Sequence, residues 1–226
     1  MESPEVAQVC LTSLQVSLVS TALLSLPAIG LGWLLARKRF PGRTLLRSMV
    51  LLPMVLPPVA VGFFLLSLLS KERAFGEWVE ALFGGSLLLT WKAAVLAAAA
   101  MSFPLAVLGA ERGFDSVPRR LEKVAASLGA TPWRVFRTVT LPLARRGILH
   151  GLVFAMVRAT GEFGATALLA GNVPGRTQTL SMAIFARVED FRDREAFELS
   201  ALAFLFALVL TLGAERLLRE PSSTAL

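Results

Sequence analysis

Tyrosine is absent from the chain, which has one cysteine, Cys10, and one histidine, His150. A lone cysteine excludes an intrachain disulfide framework and a cysteine-ligated metal cluster. One imidazole leaves almost nothing for haem ligation, zinc binding or histidine acid–base work. Charge is scarce as well: 17% of the 226 residues are charged, where a soluble domain carries about 25%. There is no G-x-x-x-x-G-K-[ST] phosphate loop, so the chain has no ATP site of that type. What remains is greasy, with 55% hydrophobic residues and a mean hydropathy of +0.66. Disorder, a collagen-like repeat and an ordinary cytosolic enzyme are excluded, and the chain reads as an all-α integral membrane protein.

Crossing a bilayer core takes roughly 20 apolar residues in a row. Five stretches qualify: 9–36, 48–70, 86–109, 148–170 and 196–213. The N-terminus is acidic and lacks the basic n-region of a secretory signal, so the first stretch reads as a retained span. Prolines interrupt three spans: Pro27 in the first, Pro53, Pro57 and Pro58 in the second, Pro104 in the third. In lipid such breaks survive only where neighbours satisfy the freed carbonyls. They suit helices bending around a pathway and equally suit ordinary kinks. No internal repeat, low-complexity tract or second domain is visible, and residues 1–226 read as one unit.

Orientation follows from the loops. Residues 37–47 hold Arg37, Lys38, Arg39, Arg43 and Arg47 with no acid. Residues 111–147 hold Arg112, Arg119, Arg120, Lys123, Arg134, Arg137, Arg145 and Arg146 against Glu111, Asp115 and Glu122. The segments 71–85 and 171–195 carry no cation surplus. The positive-inside rule puts the two basic loops in the cytoplasm, the N-terminus outside and the C-terminus inside. The net charge of +7 is therefore topology and not a nucleic-acid footprint.

The long basic loop reads as two short helices with a sharp joint. Pro118 suits the first position of one helix, and Gly129 the left-handed position that closes it. Thr131 and Pro132 suit the N-cap and first turn of the next, which Pro142 ends or kinks. Ala125, Ala126 and Ser127 leave a low surface before the joint. An amphipathic connector lying on the membrane would show the same spacing.

Leu121-Glu122-Lys123-Val124-Ala125-Ala126-Ser127-Leu128-Gly129-Ala130-Thr131-Pro132-Trp133, then Val139-Thr140-Leu141-Pro142, resembles the coupling motif of ATP-binding-cassette importer permeases. That motif is E-A-A, three residues, G, nine residues, I-x-L-P. Here Lys123-Val124-Ala125 stands at E-A-A, with Glu122 one place early, while Gly129, Leu141 and Pro142 are in register. The run 161–166, Gly161-Glu162-Phe163-Gly164-Ala165-Thr166, with 170–180, resembles the molybdate permeases, and the sulfate permeases more distantly. The resemblance implies a type I permease fold and import of molybdate, with tungstate, or else of sulfate or another oxyanion. It implies a homodimer in the cytoplasmic (inner) membrane, a cytoplasmic ATPase dimer carrying ATP and Mg, an external molybdate-binding protein, and no cofactor on this chain. Residues 123–126, 129–133, Leu141 and Pro142 would then meet the ATPase.

Arg158 and Glu162 fall inside the fourth span at i and i+4, where they can pair. Charges at that depth mark a polar pathway or a buried pair. Gly161 and Gly164 flank Glu162 and permit close approach or local unwinding; with Asn172, Thr177 and Gln178 in the following loop they complete the pathway candidates. Lys92 is placed two turns into the third span, able to snorkel outward. Gly147 and Gly151 form a small-xxx-small pair that suits helix packing. Two rival classes stay open: a membrane-embedded enzyme, for which Lys92 with Ser86 is the one weak nucleophile–base set, and a passive anchor for a soluble complex.

Overall fold

The computed structural model describes residues 3–218; Met1, Glu2 and residues 219–226, the ends whose sides of the membrane were read from the sequence, lie outside them. The described residues form helices α1 (Ser3–Arg37), α2 (Arg43–Val55), α3 (Pro58–Leu69), α4 (Ala74–Phe83), α5 (Trp91–Asp115) and α6 (Arg119–Ser127). Then come α7 (Pro132–Val135), α8 (Leu141–Thr160), α9 (Gly164–Ala170), α10 (Leu180–Glu189) and α11 (Asp193–Leu218). No strand occurs among these residues.

Three helices are each long and apolar enough to cross a bilayer, in Glu5–Arg37, Trp91–Asp115 and Asp193–Gly213, and two bent pairs bring the number up to five. The expected spans at 48–70 and 148–170 are each a bent pair of helices. The first is α2 and α3 meeting at 111°, the second α8 and α9 at 65°. Two successive prolines explain the first break. Leu56 and Pro57 each precede a proline, which disfavours helical ψ, and they sit at ψ 145° and 133°. The other break has no proline. Pro27, Pro53 and Pro104 stay inside their helices.

The third span also starts later than expected, at Trp91 rather than residue 86, so Lys92 is the second residue of α5 and not two turns inside it. α5 is the central post, with Ala93, Ala94, Ala97, Ala98 and Phe114 fully buried. α1 and α8 pack along its two sides. The contact with α8 is backbone on backbone. A Cβ on Gly109 would sit 2.2 Å from the Cα of Gly151, and one on Gly147 2.4 Å from the Cα of Gly113. The pair Gly147 and Gly151 thus meets a second pair, Gly109 and Gly113, one turn apart on α5.

α11 lies at the margin, with Phe197, Phe204 and Val209 exposed. Its start is pinned through Arg187 of α10, whose guanidinium bonds Glu5 of α1 and Glu195 of α11. Burial alone would lower the Arg187 pKa, but these two carboxylates hold it above its ordinary value.

Candidate functional site

The basic loop between α5 and α8 turns sharply, as its residues predict. α6 ends in a paired closure: Gly129 N–H bonds the Ala126 carbonyl and Ala130 N–H bonds the Ala125 carbonyl. Gly129 itself is left-handed at φ +82°, a conformation that a Cβ disfavours. Thr131 caps α7 by accepting from Arg134 N–H at 3.4 Å, and Pro132 opens that helix. Two details differ from expectation. Pro118 stands one residue before α6 rather than within it. Pro142 neither ends nor isolates the second helix, because residues 136–140 form one π turn that runs straight into α8. In that turn Leu141 N–H reaches back five residues to Phe136 O.

The loop has two faces. Leu121, Val124 and Leu128 follow at helical spacing and are exposed, as is Trp133 at 65%. Lys123 lies beside them, also exposed, with Ala125 half-buried. The opposite face is tied to the bundle. Glu122 Oε1 accepts from Thr140 Oγ1 at 2.6 Å and lies 3.1 Å from Arg37 Nη2. Arg37 also donates to Val117 O, and Arg119 to Ala36 O. Ala126, Ala130 and Pro132 line the cleft of about 330 Å³ between these groups. Phe136 supports the joint from inside, with ring centroids 5.7 Å from Trp133, 6.1 Å from Trp33 and 6.2 Å from Phe114. Leu141 packs in the same cluster, and Pro142 is exposed.

Sequence reasoning missed this inner face. Glu122 looked like a motif residue out of place; its position on α6 turns it inward onto Arg37. Another acid does the same for α2: Glu111, 3% exposed, faces Arg43 at 3.6 Å and Arg47 at 3.4 Å. Several cations counted as loop surplus are thus paired with acids of the other basic loop.

The second cluster lies where the broken spans meet. Arg158 Nη2 is 2.8 Å from Glu162 Oε2; Arg158 is 34% exposed in its side chain and Glu162 2%. Glu162 Oε1 also accepts from Ala165 N–H at 3.0 Å, so one carboxylate pairs with the last turn of α8 and caps the first turn of α9. The three-residue offset to Ala165 is the signal that could have revealed this capping. Gly164 lets α9 approach α3: a Cβ there would lie 2.9 Å from Pro58 Cβ, and one on Gly62 2.8 Å from Ala165 Cα. Gly161 makes no such approach and is exposed; it ends α8 at φ −94°.

Asn172, Thr177 and Gln178 form a clasp within one loop. Gln178 Nε2 donates to Asn172 Oδ1 at 2.9 Å, while Thr177 Oγ1 donates to Gly171 O and accepts from Val173 N–H. Thr177 and Gln178 are buried and Asn172 is exposed. The structure therefore does not bring these three together with Arg158 and Glu162. Lys92 and Ser86 line one cleft, but Ser86 Oγ accepts from Leu88 N–H and Lys92 lies over the Phe83 ring.

A bundle with two broken spans, an arginine–glutamate ion pair at one break and an exposed apolar loop clasped to its end has the architecture of a membrane transport component. The chain belongs to the family of binding-protein-dependent transport system inner membrane components, whose model matches residues 28–219. The molybdenum transport system permease protein ModB of Haemophilus influenzae is 42% identical over 195 residues, 86% of this chain and 84% of that one. Its namesake in Escherichia coli K12 is 45% identical over 183 residues, 80% of each. The sulfate transport system permease protein CysT of the same organism is 34% identical, over 80% of this chain and 65% of its own. The permease of a crystallised bacterial alginate ABC transporter, in complex with an alginate-bound periplasmic protein, superposes with a TM-score of 0.76 at 20% identity. That match covers all of this chain and 82% of the other, and establishes the type I importer permease fold.

Proposed function

We propose that this chain is the membrane-spanning subunit of an ATP-driven importer that carries molybdate, and tungstate with it, across the cytoplasmic membrane. The observation that carries the cargo assignment is the identity ranking, 45% to a molybdenum permease against 34% to a sulfate permease of one organism. The working unit is two copies of the chain, an ATPase dimer on the cytoplasmic side and an external binding protein that delivers the anion. ATP and Mg are held by the ATPase, and hydrolysis takes place there.

The loop geometry supports a division of labour. The exposed apolar stripe of Leu121, Val124, Leu128 and Trp133 offers a partner about the right chemistry for a buried interface core, with Lys123 and Arg134 at its rim. The Glu122–Arg37 and Glu122–Thr140 contacts then carry any displacement of that stripe to the ends of α1 and α8. Within the membrane, Arg158 is the cation whose half-exposed head can attract a dianion, although Glu162 offsets much of its field. Affinity resides mainly in the external protein, because a pathway that holds its cargo tightly releases it slowly.

Proteoliposomes containing the whole complex, loaded with ATP and offered each oxyanion with the binding protein, test this directly. Molybdate and tungstate accumulation with little sulfate is the expected result. Sulfate entering faster than molybdate would reassign the cargo, and uptake without ATP would remove the ATP-driven reading altogether.

A further inference from the structure

A nearly all-apolar groove of about 590 Å³ runs between α1, α3, α4 and α5, from Pro27, Pro53 and Phe103 at one end to Phe83 and Leu87 at the other. At Phe83 and Leu87 it adjoins a second cleft of about 520 Å³ whose lining includes Ser86, Thr90, Lys92 and Arg176 and no acid. Among the described residues no carboxylate lies within ion-pair distance of Lys92 or Arg176, whereas Arg37, Arg43, Arg47, Arg158 and Arg187 each have one. Lys92, Leu96, Ala99 and Phe103 stand at i, i+4, i+7 and i+11 of α5, a single stripe. The last three line the apolar groove and the first heads it. From Lys92 to Phe103 the helix rises roughly 16 Å, close to the roughly 15 Å depth of one leaflet's hydrocarbon.

We propose that these two clefts are one binding site for an anionic phospholipid, with its phosphate between Lys92 and Arg176 and an acyl chain along the α5 stripe beneath α4. A free oxyanion would use the cations and leave the groove empty; a neutral lipid would fill the groove and ignore the cations. An anionic lipid uses both. α4 suits the same setting, because Phe75, Val79 and Phe83 line the groove, Trp78 and Leu82 extend the same apolar face and are exposed, and Glu77 and Glu80 fall on the opposite side, as in a helix lying at a membrane interface. The proposal rests on the membrane reading alone and is independent of the cargo.

The test is a titration of the purified full-length chain in detergent with phosphatidylglycerol and, separately, phosphatidylcholine of the same acyl chains. Two cations near a membrane surface predict about a thirtyfold preference for phosphatidylglycerol. The exposed pair changed together, Lys92→Gln with Arg176→Gln, removes that preference and leaves phosphatidylcholine binding as it was. Ala100→Phe, which fills the groove, weakens both lipids. Equal affinity for the two lipids, or a preference surviving in the double variant, overturns the proposal. So does displacement of phosphatidylglycerol by millimolar inorganic phosphate or molybdate, which would make the cations a site for free anions. An unfolding midpoint that follows protein concentration and ignores lipid would show a second copy of the chain covering the groove, and would also overturn it.

Discussion

Gly109 is the position where the packing can be tested most sharply. A methyl group placed on it would lie 2.2 Å from Gly151 Cα, 2.7 Å from Gly151 N and 3.1 Å from Gly147 O. Carbon–carbon contact is comfortable at about 3.5–4.0 Å, so α5 and α8 would have to part locally by more than an ångström. All the near atoms are backbone, and none can swing aside as a side-chain tip could. Overpacking of this kind costs about 1–3 kcal/mol. Gly30→Ala is the matched control. That glycine lies within α1 and has nothing within 4 Å of its would-be Cβ, so the change gains up to about 1 kcal/mol of helix propensity. Thermal unfolding in detergent should thus move in opposite directions for the two variants. The double variant Gly109→Ala with Gly151→Ala should cost less than the sum of its singles, because helices already separated by one methyl group accept the other more cheaply. A Gly109→Ala protein unfolding at the parent temperature, or strict additivity in the double, would refute the close crossing.

Glu122→Gln keeps a hydrogen-bond acceptor for Thr140 but removes the charge facing Arg37; it should leave ATPase binding intact and reduce transport per ATP hydrolysed, measured in the same proteoliposomes. Gly129→Val meets no steric obstacle but must hold a β-branched residue at φ +82°, a strain of roughly 1–2 kcal/mol, and should likewise uncouple hydrolysis from uptake while insertion stays normal. Orientation is checked with single cysteines in a Cys10→Ser background: one at Ser116 should react with an impermeant reagent only from the cytoplasmic side, and one at Glu189 only from outside. Arg158→Ala should destabilise by about 3 kcal/mol, the low end for a stranded buried charge, and adding Glu162→Ala should restore part of that loss; a double variant no better than the single would point to separate roles.

The sequence carried more of the coupling loop than of the pathway, for a physical reason. Gly129, Thr131 and Pro132 act through local backbone chemistry, which is fixed within a few residues and so can be read along the chain. The break between α2 and α3 had the same kind of signal in Pro57 and Pro58, which mark an interruption but do not fix its angle, because apolarity continues across it. The break at 161–163 carries no proline. What stabilises its far side is a carboxylate three residues away, and that becomes visible only when the α9 N–H groups are in place. Asn172, Thr177 and Gln178 stood among the pathway candidates; Gln178 donates to Asn172, while Thr177 bonds the backbone at Gly171 and Val173. Glu122 was hardest to place, because its partners Arg37 and Thr140 lie 85 and 18 residues away and come together only through the packing of α1 against α5.

That placement of Glu122 explains how a loop with almost no buried surface of its own is held to the bundle. α6 has no fully buried residue, so apolar packing cannot hold it in register with the bundle. Polar contacts with short reach do so instead: Glu122 to Arg37 and Thr140, Arg119 to Ala36 O, and Arg37 to Val117 O. Such contacts are directional, which makes them better than a greasy seam at resisting a sideways push while still allowing a hinge at Gly129. The stripe of Leu121, Val124 and Leu128 is thereby left free for a partner, because the same helix needs none of it for its own attachment. With the acid one residue earlier, Glu122 ties the helix to Arg37 and Thr140 from within, and Leu121, Val124 and Leu128 stay exposed.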